Sequence, residues 1–265
     1  MARKSEPTND PREALKRLLT DLNLTTLVRE LPTVLSRAEQ ESLGYSEFLR
    51  GALDVEQAAR QERKIQRRVR WSKLGAYVSL DEFDFSSRPQ LAPQAVKELL
   101  TCRFVEERRN LILVGRPSTG KTSVARSLGH AACRRGMSVY YTTMADMLAA
   151  LHAAKADRSY AKVFRRMTTP ELLILDDAGF ETGLGPTAAN ELFRVVCARH
   201  RQRSTIVVTN LPFQQWGEFL PSSAQAVAII DRLIDDATIL RFGGKPFRRP
   251  RDIFGSLDGG EPDPS

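Results

Sequence analysis

The segment Gly115-Arg116-Pro117-Ser118-Thr119-Gly120-Lys121-Thr122 sets two glycines five positions apart and follows the second with a lysine and a hydroxyl. That spacing, GxxxxGK[ST], is chemistry for a polyphosphate. The glycines let the backbone curl until successive N–H groups face the phosphates, and a helix starting at the lysine adds partial positive charge at its N-terminus. Lys121 is placed to reach the β- and γ-phosphates and the Thr122 hydroxyl to bind Mg²⁺, with Ser123 next in the same turn. The alternative is a plain glycine turn. The flanks argue against it, because an apolar run, Leu111–Val114, leads into the loop and a helical pattern continues to Arg135.

A second set of groups lies further on. Leu172-Leu173-Ile174-Leu175 closes on Asp176-Asp177. At the end of a strand beside a phosphate loop, Asp176 would hold Mg²⁺ through water and Asp177 would polarise an attacking water. An apolar run ending in two acids is common alone and gains meaning only beside the loop. Two acids together favour hydrolysis over a pure phosphate-binding switch. Thr205–Val208 ends in Thr209-Asn210 ahead of Pro212, so Asn210 is placed either to meet the γ-phosphate and orient water or simply to make a turn.

Elements must bring these groups together. From about Pro93, short apolar runs at Leu111–Val114, Val139–Tyr141, Leu172–Leu175, Thr205–Val208 and Thr238–Leu240 alternate with helix-length stretches. Strands separated by helical crossovers specify an α/β fold, a parallel sheet covered on both faces. Before it, residues 11–75 carry helical spacing: Leu15, Leu18 and Leu22, then Leu27 and Leu31, then Tyr45, Phe48, Leu49 and Leu53, with a last basic helix from about Val55 to Lys73. The expected organisation is a disordered start at 1–10, a helical domain at 11–75, a linker at 76–93, an ATPase-type domain at 94–254 and a disordered tail at 255–265.

The 265 residues are 42% hydrophobic and 27% charged, enough apolar material for a sizeable core. Forty Lys+Arg against 32 Asp+Glu give a net charge of +8, compatible with an anionic partner. The surplus divides evenly between residues 1–75 and the remainder, so it is not a basic tail. No apolar run is long enough to span a membrane, and the N-terminus has no apolar signal region, so no membrane partner and a cytoplasmic location are expected. Cys102, Cys133 and Cys197 have no metal or redox spacing and are expected as buried free thiols. His130, His152 and His200 are expected as ordinary helix residues.

Together the phosphate loop, "LLILDDAGF", "RHRQRSTIVVTNLPFQQW", "AIIDRLIDDATIL" and the basic region ending "RQERKIQRRVRWSKLG" resemble the IstB-like helper ATPases of bacterial insertion sequences, in the DnaC-like branch of the AAA+ superfamily. "LDEFDF" at Leu80–Phe85 also fits that family's interdomain segment. The resemblance covers about residues 12–250. It implies an AAA+ P-loop fold, with ATP and Mg²⁺ as cofactors and ATP hydrolysis between neighbouring subunits of an oligomer promoted by ATP and double-stranded DNA. It also implies regulation of a partner IstA-like transposase at the insertion target. Sensor 1 would fall on Asn210 and the arginine finger on Arg232, whose guanidinium suits the charge spreading over γ-phosphoryl oxygens; a surface helix arginine is the plainer reading of Arg232.

Three departures stand out. Ser118 replaces a usual loop glycine and should stiffen the turn, Asp177 stands where many AAA+ proteins have glutamate, and Pro246-Phe247-Arg248 replaces an expected Ser-Tyr-Arg, which puts a cis-acting role for Arg248 in doubt.

Three basic stretches compete as phosphate-backbone contacts: residues 60–73 with Arg63, Arg67 and Arg70; residues 155–166 with Lys155, Arg158, Lys162, Arg165 and Arg166; and residues 241–251. By resemblance the second ranks first, as a helix facing the central channel of the oligomer. With no recognition motif present, binding should be largely independent of sequence. A solvated charged face is the alternative for each. The competing functions are a DnaC-like replicative helicase loader, a small-molecule kinase and a non-hydrolysing nucleotide switch.

Overall fold

The computed structural model describes residues 10–80, 83, 85, 91–179, 185–212, 215–216 and 223–243. The chain separates into two compact units, residues 1–67 and 68–265.

The first unit holds α1 (Pro11–Asp21), α2 (Thr25–Gln40) and most of α3 (Tyr45–Ser72). Asp10 starts α1 by accepting the Arg12 N–H at 2.9 Å, with Pro11 in the first turn where its missing N–H costs nothing. A small core of Leu19, Leu27, Leu31 and Ala52 is closed by Glu56, whose side chain is 2% exposed. One carboxylate oxygen accepts the Thr26 and Leu27 N–H groups at 2.7 and 3.0 Å, supplying the cap that Leu24 cannot give α2. The other takes Arg60 at 3.1 Å and Arg63 at 2.9 Å. Burial alone would raise this carboxyl, but the Leu27 N–H, the Arg63 guanidinium, the Thr26 N–H and Arg60 outweigh it and hold it below the ordinary range.

Two helices expected across Tyr45–Leu53 and Val55–Lys73 are one. No proline or cap residue separates them, Asp54 pairs along the helix with Arg50 at 3.8 Å, and a helical Gly51 costs only about 1 kcal/mol.

In the second unit the helices α4 (Pro93–Leu99) and α5 (Arg103–Glu106) precede a five-stranded parallel sheet, β1 (Leu111–Gly115), β2 (Val139–Thr143), β3 (Leu172–Ala178), β4 (Ser204–Thr209) and β5 (Thr238–Phe242), in spatial order β2-β3-β4-β1-β5. Each expected run is found, one to three residues longer. The crossovers are α6 (Lys121–Arg134), α7 (Met144–Ala156), α8 (Tyr160–Thr168), α9 (Pro186–Arg199) and α10 (Ser223–Ile234). One face of the sheet packs α6 and α4 through Val124, Leu128, Val96 and Leu99. The other packs α7, α9 and α10 through Met147, Leu151, Leu192, Val195 and Ile229.

The segment expected as a linker contributes to that core. Phe83 and Leu91, with Leu74 just before them, are buried beside β1 and α6. The chain from Leu74 to Val78 lies along α6, where Ser127 donates to the Val78 carbonyl and Arg134 sits 4.5 Å over the Tyr77 ring. Cys102 and Cys133 are buried and their thiols are pushed up to about 11 by burial, whereas Cys197 is only half-buried. His200 lies just beyond α9 rather than within it and meets Asp235 at 2.7 Å. Among the described residues no helix is long and apolar enough to cross a membrane.

Candidate functional site

The site begins where β1 stops. Gly115 has φ +156°, and a Cβ there would stand 2.0 Å from the Phe242 carbonyl oxygen of β5, so the strand end admits only glycine. Gly120, φ +95°, starts α6 in the left-handed region. Ser118 takes the same region at φ 60°, so the stiff point expected there is a strained residue, worth about 1–3 kcal/mol. The loop is tied internally: Thr119 Oγ1 donates to the Arg116 carbonyl at 2.8 Å, and Lys121 Nζ donates to the Gly115 and Arg116 carbonyls, both at 2.8 Å. Lys121 is 6% exposed, and burial lowers its ammonium to about 8 although the Asp176 and Asp177 carboxylates pull it upward.

The two acids arrive from the next strand but one. Pairing between β3 and β4 runs Leu175↔Val207 and then Ala178↔Thr209, so β3 has one residue more than β4 across that interval. Leu172 and Ile174 pack on the α6 face, while Leu173, Leu175 and Ala178 pack on the α7–α9 face. Alternation therefore skips Asp177, the bulged residue, with φ 53°. The bulge lets neighbouring carboxylates, which an unbroken strand would send to opposite faces, line one crevice. Asp176 is 1% exposed and fully paired: Oδ1 accepts Thr122 Oγ1 at 3.2 Å and the Asp177 N–H at 2.9 Å, and Oδ2 accepts the Tyr141 hydroxyl at 2.6 Å. Asp177 is exposed, and its carboxyl is raised first by desolvation and then by the Asp176 charge.

Residues 117–123, Asp176, Asp177 and Asn210 line one cavity of about 420 Å³ at the carboxyl ends of the strands, together with Arg126 and Tyr141. Asn210 follows β4, whose last residue, Thr209, donates to the Ala178 carbonyl at 2.7 Å and so fixes the strand end beside the bulge. Gly115 and Arg116 shape the loop through their carbonyls. Arg232 does not line the cavity; it donates to the Ala228 carbonyl at 2.7 Å, one turn back on α10, and lies 5.2 Å over the Phe193 ring. Arg126 and Tyr141 were not among the expected site residues. Their sequence signal is positional: Arg126 is on α6 just past the first turn, and Tyr141 is on the strand that pairs with β3.

The oxygen set can be tested against Mg²⁺. Thr122 gives its single proton to Asp176, which leaves its lone pairs for a hard cation, and two carboxylates lie beside it. No group of three His, Cys, Asp or Glu stands ready for a softer metal among the described residues. The donors fit a magnesium–phosphate pair.

Of the basic residues, Arg158, Lys162, Arg165 and Arg166 are exposed on α8 and the turn before it. Lys155 is already engaged, 2.7 Å from the buried Glu191 on α9, which also accepts the Tyr160 hydroxyl. In the first unit Arg63 is likewise committed, to Glu56 and to Thr26 Oγ1 at 2.7 Å, whereas Arg67 is exposed; in the second, Arg70 is exposed. Both committed cations answer a buried carboxylate that needs a counter-charge. The expectations on Arg248, on the rest of 244–251 and on both chain ends lie outside the described residues.

The sequence profile of the family described as IstB-like ATP binding protein matches residues 17–252. An ATP-binding protein of insertion sequence IS5376 from Geobacillus stearothermophilus is 32% identical over 227 residues, 86% of this chain and 90% of that protein. An ATP-binding protein of insertion sequence IS21 from Pseudomonas aeruginosa is 32% identical over 234 residues, 88% of each chain. Among solved structures, AMPPCP-bound DnaA from Aquifex aeolicus matches with a TM-score of 0.54 at 21% identity, covering 64% of this chain and 51% of that one. That likeness identifies the fold, an AAA+ P-loop architecture.

Proposed function

The chain belongs to the IstB-like ATP binding protein family, and from that premise we propose that it is an ATP-dependent helper of DNA transposition. It binds and hydrolyses ATP, assembles on double-stranded DNA largely without regard to sequence, and recruits or regulates a partner transposase at the target. The observation that carries the ATPase part is the single cavity shared by Lys121, Thr122, Asp176, Asp177 and Asn210. The insertion-sequence relatives support the transposition part.

In this reading the loop N–H groups and Lys121 hold the phosphates. Thr122 and Asp176 would hold Mg²⁺, which supplies positive charge against the β- and γ-phosphate oxygens. Asp177 accepts a proton from, or orients, the attacking water; a carboxyl raised by its surroundings is the better base. Asn210 steadies the γ-phosphate end of the cavity. Arg232, turned away from its own chain's cavity, serves a neighbouring copy, which makes hydrolysis depend on assembly. Arg158, Lys162, Arg165 and Arg166 form the leading DNA-backbone surface, with Arg67 and Arg70 second.

The test is the ATPase rate with and without double-stranded DNA, measured alongside the size of the complex. Phosphate release that rises with DNA in step with assembly supports the proposal. A rate indifferent to DNA in a protein that stays monomeric overturns it.

A further inference from the structure

Arg126 and Tyr141 stand in the cavity with no role in the reading above. Their hydrogen bonds run in one direction. Arg126 Nη2 donates to the Tyr141 hydroxyl at 3.1 Å, and that hydroxyl donates to Asp176 Oδ2 at 2.6 Å. The guanidinium also lies 4.7 Å over the tyrosine ring, which holds the ring from its face while the hydroxyl is held at its edge. A phenol has one proton and a lone pair to offer, and here the proton goes to the acid and the lone pair to the guanidinium.

From Asp176 outward the purpose of this chain of bonds is visible. Oδ1 is reached by Thr122 from α6 and by the Asp177 N–H within β3. Oδ2 is reached by Tyr141 alone among the described residues, from β2. Three elements therefore fix both the plane and the position of one buried carboxylate. Without the phenol hydroxyl, Oδ2 is a buried acceptor with nothing to hold it among the described residues, and the carboxylate is anchored through Oδ1 alone.

We infer that Arg126 and Tyr141 are positioning residues that lock Asp176 in the orientation from which it and Thr122 hold magnesium with the nucleotide. The inference rests on the ATP-binding reading above. It assigns the metal dependence of this site to a cation and a phenol that belong to no part of the phosphate loop or of the acidic pair. Removing an outer hydrogen-bond partner of a metal ligand typically weakens metal binding by about 10- to 100-fold.

The test measures affinity for a fluorescent ATP analogue on the full chain in saturating MgCl₂ and in excess EDTA, and takes the ratio of the first to the second. Tyr141→Phe keeps the ring and removes only the hydroxyl; its ratio should fall roughly tenfold or more below that of the wild type. Arg126→Met should lower the ratio in the same direction. The double variant should be no worse than Tyr141→Phe, since both substitutions interrupt one chain. A Tyr141→Phe ratio equal to or above that of the wild type overturns the inference while leaving ATP binding intact. A wild type that does not bind the analogue, or binds it equally well as Lys121→Ala, overturns the ATP-binding reading itself and this inference with it.

Discussion

Thr122 on α6 donates to Asp176 on β3 across 3.2 Å, so a residue of the phosphate loop's helix and an acid more than fifty positions later are bonded to each other. The bond explains how two short motifs act as one centre. The hydroxyl proton is spent on the acid, and the oxygen lone pairs remain directed into the cavity.

Lys121 is held by two carbonyls of its own loop, and its charge faces the phosphates in the proposed complex. Charge-assisted hydrogen bonds contribute about 1.5–3 kcal/mol each, so Lys121→Ala should weaken ATP binding about 100-fold or more. Its pKa near 8 adds a second expectation. Above that pH the nucleotide-free lysine loses its proton, and phosphates favour the charged form, so ATP binding should take up a proton and weaken as pH rises. Calorimetry at pH 8.5 in two buffers of different ionisation heat reads this directly; identical binding heats would refute it.

Asp177→Asn keeps the size of the side chain and removes its capacity to take a proton. Turnover should fall by about 10²- to 10⁴-fold while ATP binding persists. Complexes on DNA should then outlast those of the wild type in sizing experiments with ATP. Unchanged turnover would remove Asp177 from the chemistry.

Arg232→Ala should spare ATP binding and block hydrolysis, because an arginine acting from a neighbour is worth about 10³- to 10⁵-fold. Mixing Arg232→Ala with Asp177→Asn protein tests the geometry. Each is inactive alone, yet in a mixed assembly some interfaces combine an intact Asp177 with an intact Arg232. No recovery of phosphate release on mixing would sink action across the interface.

Gly115→Ala places a methyl group 2.0 Å from the Phe242 carbonyl oxygen, a backbone atom that cannot step aside without moving β5. Overpacking of this kind costs about 1–3 kcal/mol and sometimes more. The urea midpoint should fall accordingly, and a midpoint equal to that of the wild type would show that β5 is not held where the sheet places it.

Most of the sheet could be read from the chain because each strand is a short apolar run bounded by helical spacing, and the loop because its residue types admit few other uses. What escaped reading was pairwise. Nothing local tells that Lys155 faces Glu191 or that Arg63 faces Glu56: Lys155 reads as the basic last turn of its helix, and Arg63 as one more cation on a charged helix face. The continuity of α3 is not evident in the apolar spacing, which stops at Leu53, although no cap or proline interrupts the helix there. Arg126 and Tyr141 escaped because their meeting depends on β2 lying beside β3, a fact of strand order.

The bulge in β3 has a consequence for how this protein tolerates change in length. Leu173, Leu175 and Ala178 keep one face and Leu172 and Ile174 the other, so the strand would read as unbroken alternation if Asp177 were simply absent. Removing that single codon would leave both cores their full complement of side chains, and would take from Asp176 Oδ1 the N–H that Asp177 gives it. The extra residue in β3 thus serves, in this reading, both as the acid beside the attacking water and as a backbone donor to its neighbour, and a chain shorter by that one residue would lose both.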